Sequence, residues 1–273
     1  MAKVPPGVVA AWTVLLGAMI LAVFPYVWML RTAFAEDTYV RGMNLIPDRF
    51  TLNNFVVAWF DSGMSAAMLN GAIVTSGILI LQLATGIPAA YAFAKLRFRG
   101  RDALFGIVLA SLIIPAQAIA VPLFLGVSTL DLANTHAALI LPFATSAFGI
   151  FLMRQHMVTI PDALLDAARM DGFGHGRILS NVVIPMSRPA ILTFALFSVF
   201  GSWNEYLWPL LVARAEAIRT PPLALALLQT DALNTDLGVL AAAAVIVTVP
   251  IVVLFIVTRR SFVAGLTGGE VTG

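Results

Sequence analysis

The chain has 273 residues, of which 60% are hydrophobic and only 11% are charged. Its mean hydropathy of +0.95 excludes an ordinary soluble domain. Cysteine is absent, which excludes disulfides and thiolate metal sites. A formal net charge of +2 is too small to indicate a nucleic-acid partner, so the distribution of the charges is more informative than their sum.

Six apolar segments are long enough to cross a lipid bilayer as helices. In chain order they are 8–30, 69–92, 104–126, 138–153, 190–211 and 237–258. Several contain proline, which membrane helices tolerate because neighbouring helices can satisfy the freed backbone groups. The sequence therefore predicts an all-α polytopic membrane protein with six transmembrane helices.

The basic residues are distributed unevenly between the two sides of the predicted membrane. Eleven of the 16 Lys and Arg residues fall on the side that carries both termini and the segment 160–189. The positive-inside rule assigns that side to the cytoplasm. We therefore expect a multi-pass membrane protein with both termini and the segment 160–189 in the cytoplasm.

The segment 160–189 is a charged island between the fourth and fifth predicted spans. Its first part, 161–170, is predicted to be a short helix, with Pro161 at the first helical position and Asp162 near the positive end of the helix dipole. Gly172 can adopt a positive φ and end this helix.

A second short helix is predicted from His175, closed by Pro185 and Pro189. Helices of roughly ten residues are too short to span a bilayer or to be stable alone. Both must therefore dock on another surface.

Polar and aromatic residues interrupt the fifth predicted span at 202–208. A carboxylate at membrane depth is costly and usually faces a cavity or a partner. Aromatic rings beside hydrogen-bonding groups suit a sugar-sized ligand. This interpretation assigns a translocation path to Trp203, Asn204, Glu205 and Tyr206. The alternative is a helix end at the membrane interface, where Trp and Tyr form an aromatic belt.

Weaker candidates for a cavity lining are single polar residues in the other spans. They are Asn70, Gln82, Gln117 and Asn134. Such residues more often form a hydrogen bond between packed helices.

No residue pattern indicates catalysis within this chain. Lys3 and Lys95 are the only lysines and neither follows a G-x-x-x-x-G, so the ATP-binding P-loop is absent. The three histidines, His136, His156 and His175, lack metal-ligand spacing. We therefore expect no catalytic residue, no metal ligand and no cofactor bound by this chain.

The segment 160–189 resembles the EAA loop of binding-protein-dependent ABC importer permeases. In that family E-A-A is followed by x-x-D-G and, farther on, by I-x-x-P. Here Asp stands where the family has Glu, and 182–185 supplies the hydrophobic end. The resemblance implies an ATPase-coupling role for Pro161, Leu165, Asp166, Ala167, Ala168, Asp171 and Gly172.

Two further segments carry the same resemblance. Residues 203–210, WNEYLWPL, are similar to the W-N-x-[FY]-L-W-P segment of carbohydrate-type permeases. Residues 259–269 resemble the ending of the second permease subunit of maltose-type systems. By this resemblance Phe262, Gly265 and Leu266 are expected to dock the tail on the ATPase. The last four residues are EVTG where the family commonly has A-V-K-G.

The resemblance implies a type I ABC importer transmembrane fold in the bacterial cytoplasmic (inner) membrane. It divides the chain into 1–66 (first helix and outer segment), 67–260 (transmembrane core with the loop 160–189) and 261–273 (cytoplasmic tail). The expected partners are a sister permease, two copies of an ABC ATPase that uses ATP and Mg, and an extracytoplasmic solute-binding protein.

The expected function is ATP-driven import of a sugar or sugar-like solute. Two alternatives stay open from the sequence. A permease for glycerol phosphate or an amino sugar would carry the same motifs. An ATP-independent secondary transporter would need charged relay residues in several spans, whereas Glu205 stands nearly alone.

Overall fold

The computed structural model describes residues 6–36, 44, 46–47, 49–230 and 236–267, with the side chains of the last helix described as far as Thr258. The described residues are mainly helical. In chain order the first helices are α1 (Pro6–Ala33), α2 (Asn53–Val56, extended by a π-turn Val57–Asp61), α3 (Met64–Lys95), α4 (Arg101–Ser111), α5 (Ala116–Thr129), α6 (His136–Ile140, extended by a 3-10 turn Leu141–Phe143) and α7 (Ala147–Val158).

The second half begins with the short helices of the charged island. These and the helices that follow are α8 (Asp162–Met170), α9 (His175–Ile178), a π-turn (Leu179–Val183), α10 (Ile184–Met186), α11 (Arg188–Trp203), α12 (Leu207–Val212), a 3-10 turn (Glu216–Ile218), α13 (Pro221–Thr230) and α14 (Leu237–Thr267).

Three described helices are long and apolar enough to cross a membrane unbroken, at Ala11–Ala33, Met64–Lys95 and Leu237–Thr258. Three more spans arise if each bent helix pair counts as one. The pairs are Arg101–Ser111 with Ala116–Thr129 (99°), His136–Phe143 with Ala147–Val158 (41°), and His175–Met186 with Arg188–Trp203 (79°). This agrees with the predicted six spans, but half of them are not straight rods.

The chain forms two compact units. The first combines the described part of 1–65 with that of 224–250. Within it, Asn54 is 3% exposed, and its Nδ2 donates to the carbonyl oxygens of Ala33 (3.1 Å) and Ala35 (2.7 Å). Both alanines are fully buried, so this one amide satisfies the C-terminal end of α1.

The second unit comprises 66–223 and the part of the chain after residue 250. Its apolar core brings the C-terminal end of α3 together with α7, α8, α9 and α11. The buried members of this core are Ala90, Tyr91, Met153, Met157, Ile160, Leu165, Ala168, Ile178, Val183 and Phe194. The short helices of the charged island are therefore part of the main core rather than an appendage.

The third predicted span, expected as one helix, is broken between α4 and α5. Pro115 has no N–H to continue α4, and it disfavours helical geometry at the residue before it. The backbone tightens instead into i→i−3 bonds, from Leu112 to Leu109 and from Ile113 to Ala110, before the chain turns by 99°.

The fifth predicted span is broken as well. The helix α11 ends at Trp203, and α12 starts at Leu207. Asn204, Glu205 and Tyr206 therefore lie at the break between two helices and not inside a continuous one. This corrects the expected position of the polar cluster.

The two prolines expected to close the second short helix do not end it where predicted. Pro185 lies inside α10, and the widened π-turn just before it has Ile184 donating to Leu179. A π-turn accommodates a proline whose ring would collide with the carbonyl four residues back in a regular helix. Pro189 instead lies in the first turn of α11, and the chain bends by 79° near Ser187.

Replacing Asn54 with Ala is expected to lower the Tm of the detergent-solubilised protein by about 4 °C. The substitution leaves two buried carbonyls without a donor, which typically costs about 2 kcal/mol. Asn53→Ala is the matched control, since that neighbouring side chain is exposed. Equal thermal stability of the two variants would contradict the assigned role of Asn54.

Candidate functional site

The helix α8 and the turn that follows it form the structural centre of the charged island. Pro161 is the N-cap residue (φ −60°, ψ 131°) and lies just before the helix, one position earlier than predicted. Gly172 has φ +81°, as the sequence predicts. The turn is closed by hydrogen bonds from Gly172 N–H to the Arg169 carbonyl (2.9 Å) and from Phe173 N–H to the Ala168 carbonyl (3.0 Å).

The two faces of α8 have different environments. Leu165 is 1% exposed and Ala168 is 7% exposed, and both belong to the core of the second unit. On the other face, Leu164 and Met170 are exposed, the latter by 88%. Of the expected coupling residues, Leu165 and Ala168 therefore hold the helix in place, and the rest stay available to a partner.

The exposed residues with coupling roles implied by the family are Pro161, Asp166, Ala167, Asp171 and Gly172. Asp166 Oδ1 accepts a hydrogen bond from Arg169 Nη1 at 2.7 Å, one turn along the helix. Both side chains are largely exposed, so the ion pair adds little to stability. It does hold the shorter Asp166 carboxylate in a defined position on the exposed face.

Lys95, which sequence reasoning counted only as a basic residue, anchors the start of this segment. Its side chain is 6% exposed at the end of α3. The ammonium donates to the carbonyl of Ile160 (2.6 Å) and to Asp162 Oδ1 (2.7 Å), with a longer bond to the Val158 carbonyl (3.3 Å). Three acceptors from one loop therefore surround one cation from another helix.

The Lys95 site is favourable electrostatically at both helix ends that it contacts. A cation near the last carbonyls of α7 complements the negative end of that helix dipole, and Asp162 lies in the first turn of α8, where an anion is favoured. The hydrogen bond and charge of Lys95 hold the pKa of Asp162 below its ordinary value. Because the pKa of Asp162 is lowered, its carboxylate keeps its stabilising contribution at neutral pH and loses it only as the pH falls through the lowered pKa.

The three histidines all have polar partners, as expected for structural residues. His175 Nδ1 lies 3.3 Å from Tyr91 Oη, and His136 Nε2 lies 2.9 Å from Asn70 Oδ1. His156 Nε2 lies 3.0 Å from the carbonyl of Met186. The contact of His175 with α3 gives the chain after Gly172 its own attachment to that helix.

The four residues expected to line a translocation path have different environments. Trp203 is 7% exposed, and its ring packs close to Gly71 of α3. Asn204 is exposed, and its Nδ2 donates to the Phe200 carbonyl at 2.7 Å. Tyr206 is 40% exposed. Glu205 Oε1 accepts a hydrogen bond from Trp208 N–H at 3.1 Å, which satisfies a free donor at the start of α12.

Glu205 also lines a cavity of about 230 Å³ inside the second unit. The walls come from α3, the α6–α7 segment, α11 and α12. Six polar side chains face the cavity or its rim: Gln82, Ser146, Ser198, Ser202, Glu205 and Thr220. The remaining lining residues are apolar or aromatic, including Phe143, Phe148, Phe197 and Trp208.

Of the weaker sequence candidates, Gln82 lines this cavity. Its Oε1 accepts from Ser198 Oγ at 2.7 Å and its Nε2 donates to the Phe143 carbonyl at 3.1 Å. Ser198 and Thr220 were missed because a single hydroxyl in an apolar segment gives no distinguishing sequence signal.

The expected tail-docking residues, Phe262, Gly265 and Leu266, belong by backbone to α14, which continues to Thr267. Their side chains lie outside the described residues, as do residues 268–273. Docking of the tail stays a prediction.

Unbroken and bent helices of membrane-spanning length, together with a short amphipathic helix packed on the core of the second unit, are typical of a polytopic membrane permease. The family described as binding-protein-dependent transport system inner membrane component matches residues 82–263. This range contains the charged island, the cavity-lining part of α11 and most of α14. The chain belongs to this family.

Individual relatives agree with the assignment along almost the whole chain. The arabinooligosaccharides transport system permease protein AraQ of Halalkalibacterium halodurans is 35% identical, over 93% of this chain and 92% of the relative. The trehalose/maltose transport system permease protein MalG of Thermococcus litoralis is 29% identical, over 95% and 96%. A crystal structure of a bacterial ABC transporter that imports the acidic polysaccharide alginate contains a chain similar to this one, with a TM-score of 0.85, 26% identity and coverage of 96% and 100%.

Substituting Lys95 with Met is expected to loosen the start of α8 without unfolding the core. The loss of a charged donor to three acceptors should speed amide hydrogen exchange in residues 162–173 about tenfold. Arg99→Met is the matched control, because Arg99 is exposed in the same loop. Unchanged exchange in Lys95→Met, or an equal change in the control, would show that Lys95 does not anchor the segment.

Proposed function

We propose that this chain is one of two membrane-spanning subunits of an ATP-driven importer that moves a sugar or sugar-like solute into the cytoplasm. The observation that carries the proposal is the construction of α8. One face is buried in the core of the second unit, and the other is exposed with Leu164, Asp166 and Met170 on it. Because one face of this amphipathic helix is fixed in the core of the second unit, a soluble partner that binds the exposed face could move the transmembrane helices.

The partner that fits this helix is an ABC ATPase, which would dock on α8 and the turn after it. The complete importer would contain two copies of this ATPase. Leu165 and Ala168 contact a core that also contains residues of α3, α7 and α11. Because packed cores deform little, a displacement of α8 would move those helices as a body. Closure of the ATPase dimer would in this way switch the spans between inward-facing and outward-facing states.

We assign ATP binding and hydrolysis to the partner ATPase. The chain has no P-loop lysine, since Lys3 follows no glycine-rich loop and Lys95 is engaged by the charged island. ATP and Mg would therefore bind the ATPase subunits alone. A sister permease would complete the transmembrane pathway, and an extracytoplasmic solute-binding protein would deliver the solute.

The sugar class rests on the relatives. Their printed names describe transport of arabinooligosaccharides and of trehalose or maltose, and the similar crystal structure is of an alginate importer. A relative named for sn-glycerol-3-phosphate transport, UgpE of Yersinia pestis, is 28% identical over 92% of this chain. The names of the relatives thus describe both neutral and anionic solutes. The polar cavity of this chain would determine which of the two kinds it transports.

Met170→Glu is expected to abolish copurification of the ATPase while leaving membrane insertion and thermal stability unchanged. Met170 is 88% exposed at the end of α8, so the substitution costs the isolated chain little. In a docked complex it would bury a charge, which is strongly unfavourable. Arg177→Glu, an exposed charge change after the turn, is the control. Full ATPase recovery with Met170→Glu would exclude this face of α8 as the docking site.

Gly172→Val should insert in the membrane normally but uncouple transport from ATP hydrolysis. The φ of +81° at Gly172 is strained for a β-branched residue by roughly 1–2 kcal/mol, so the turn after α8 must change shape. The matched control is Gly176→Val, since Gly176 lies in α9, has open space around it and has no positive φ. The measurement is ATPase stimulation by loaded binding protein in proteoliposomes. Equal stimulation of both variants would refute the proposed role of the turn.

A further inference from the structure

The cavity beside Glu205 has the size and the lining of a subsite for one sugar ring. Its volume of about 230 Å³ is below the roughly 300 Å³ at which sites for drug-sized ligands begin. An oligosaccharide would therefore not fit as a whole, but one ring would. Aromatic lining residues such as Phe197 and Trp208 supply apolar contact for the C–H groups of a ring.

The polar groups of the cavity retain unused hydrogen-bonding capacity. Thr220 is 5% exposed, lines the cavity, and its Oγ1 has no hydrogen-bond partner among the described residues. Ser202 Oγ donates to the Ser198 carbonyl at 2.7 Å and can still accept.

The charge of the cavity is carried by Glu205. Among the described residues that line it, Glu205 is the charged one, and no Lys or Arg is present in the lining. Trp208 N–H uses Glu205 Oε1, and a carboxylate has further acceptor sites for hydroxyl donors. A second negative charge placed in this small cavity would be repelled, because the surrounding low dielectric screens poorly.

We propose that this cavity binds one uncharged sugar ring during transport and that Glu205 is the residue that rejects anionic sugars. The proposal rests on the proposed sugar-import function and adds a substrate class to it. On this proposal the cavity would disfavour anionic solutes such as glycerol phosphate and alginate, which the names of two relatives describe.

The absence of native cysteine allows a direct test in the intact transporter. Ser202→Cys places one thiol in the permease chain within the cavity, with a side chain close in size to the native one. In the complex purified with its partners, mass spectrometry of this chain would follow labelling of the introduced thiol by a cationic and an anionic methanethiosulfonate. The cationic reagent should react faster. Adding Glu205→Gln, which keeps an acceptor for Trp208 N–H, should lower the ratio of the two rates about tenfold.

The matched control is Ser202→Cys with Glu216→Gln, which removes an exposed carboxylate outside the cavity lining. This change should leave the ratio of labelling rates unaltered. An unreactive thiol in the Ser202→Cys variant would overturn the proposal, because the cavity would then be closed to small solutes. A ratio insensitive to Glu205→Gln would overturn the charge-filter role.

The ligand class is tested by protection of the introduced thiol with glucose, glucose 6-phosphate and glucosamine, which share one ring, and with arabinose as a second neutral sugar. Glucose at millimolar concentration should slow labelling at least threefold, and glucose 6-phosphate should not do so until Glu205 is replaced by Gln. Glucosamine protecting more than tenfold better than glucose would instead assign the cavity to cationic sugars. Protection by neither glucose nor arabinose would overturn a sugar subsite. Failure here leaves ATPase docking on α8 intact, since Met170→Glu and Gly172→Val test that function separately.

Discussion

The burial of one face of α8 in the apolar core of the second unit is the constraint on which the rest of the structure depends. A helix of nine residues is too short to be stable in isolation. Leu165 and Ala168 supply the apolar contacts, and burial of a leucine side chain is worth about 2 kcal/mol. Lys95 adds a charged hydrogen-bond centre at the N-terminal end of the helix.

These contacts explain how a surface helix can transmit movement to the transmembrane helices. The core that contains Leu165 and Ala168 also holds residues of four other helices, α3, α7, α9 and α11, and Lys95 links α3 directly to the backbone just before α8. His175 contacts Tyr91 on the same helix α3. The charged island is thus attached to α3 on both sides of α8, so its displacement is shared by the longest helix of the second unit rather than absorbed in a loose loop.

The sequence predicted those features that depend on local chemistry. The helix around Asp166, the positive φ of Gly172 and the number of spans all follow from short-range patterns and from hydropathy. The role of Lys95 could not be read in this way, because its partner Asp162 is 67 residues distant and both residues are ordinary members of a basic and an acidic loop. The broken spans were also missed, since proline occurs in membrane helices with and without a break. Pro88 and Pro122 lie inside helices, whereas Pro115 begins one.

The broken spans give a physical reason for the polar residues that the sequence left ambiguous. A break at membrane depth frees backbone groups that lipid cannot satisfy. The break before α7 frees the carbonyls of Phe143 and Ala144, and Gln82 and Thr85 on α3 donate to them at 3.1 Å and 2.9 Å.

Near the other end of α3, Asn70 likewise donates to free backbone carbonyls, here in the loop between α12 and α13. Its Nδ2 donates to the carbonyls of Ala217 and Arg219, at 2.8 Å and 3.1 Å. Asn134, in left-handed geometry, accepts from Ala215 N–H at 2.8 Å. Three of the four residues first considered as cavity candidates are therefore explained by hydrogen bonds between packed segments. Gln82 both donates to a backbone carbonyl at the break and lines the cavity, because Phe143 at that break is also part of the cavity wall. Irregular backbone at this depth is stable only where protein or a polar cavity surrounds it. The breaks therefore depend on the packed segments and on the cavity that border them.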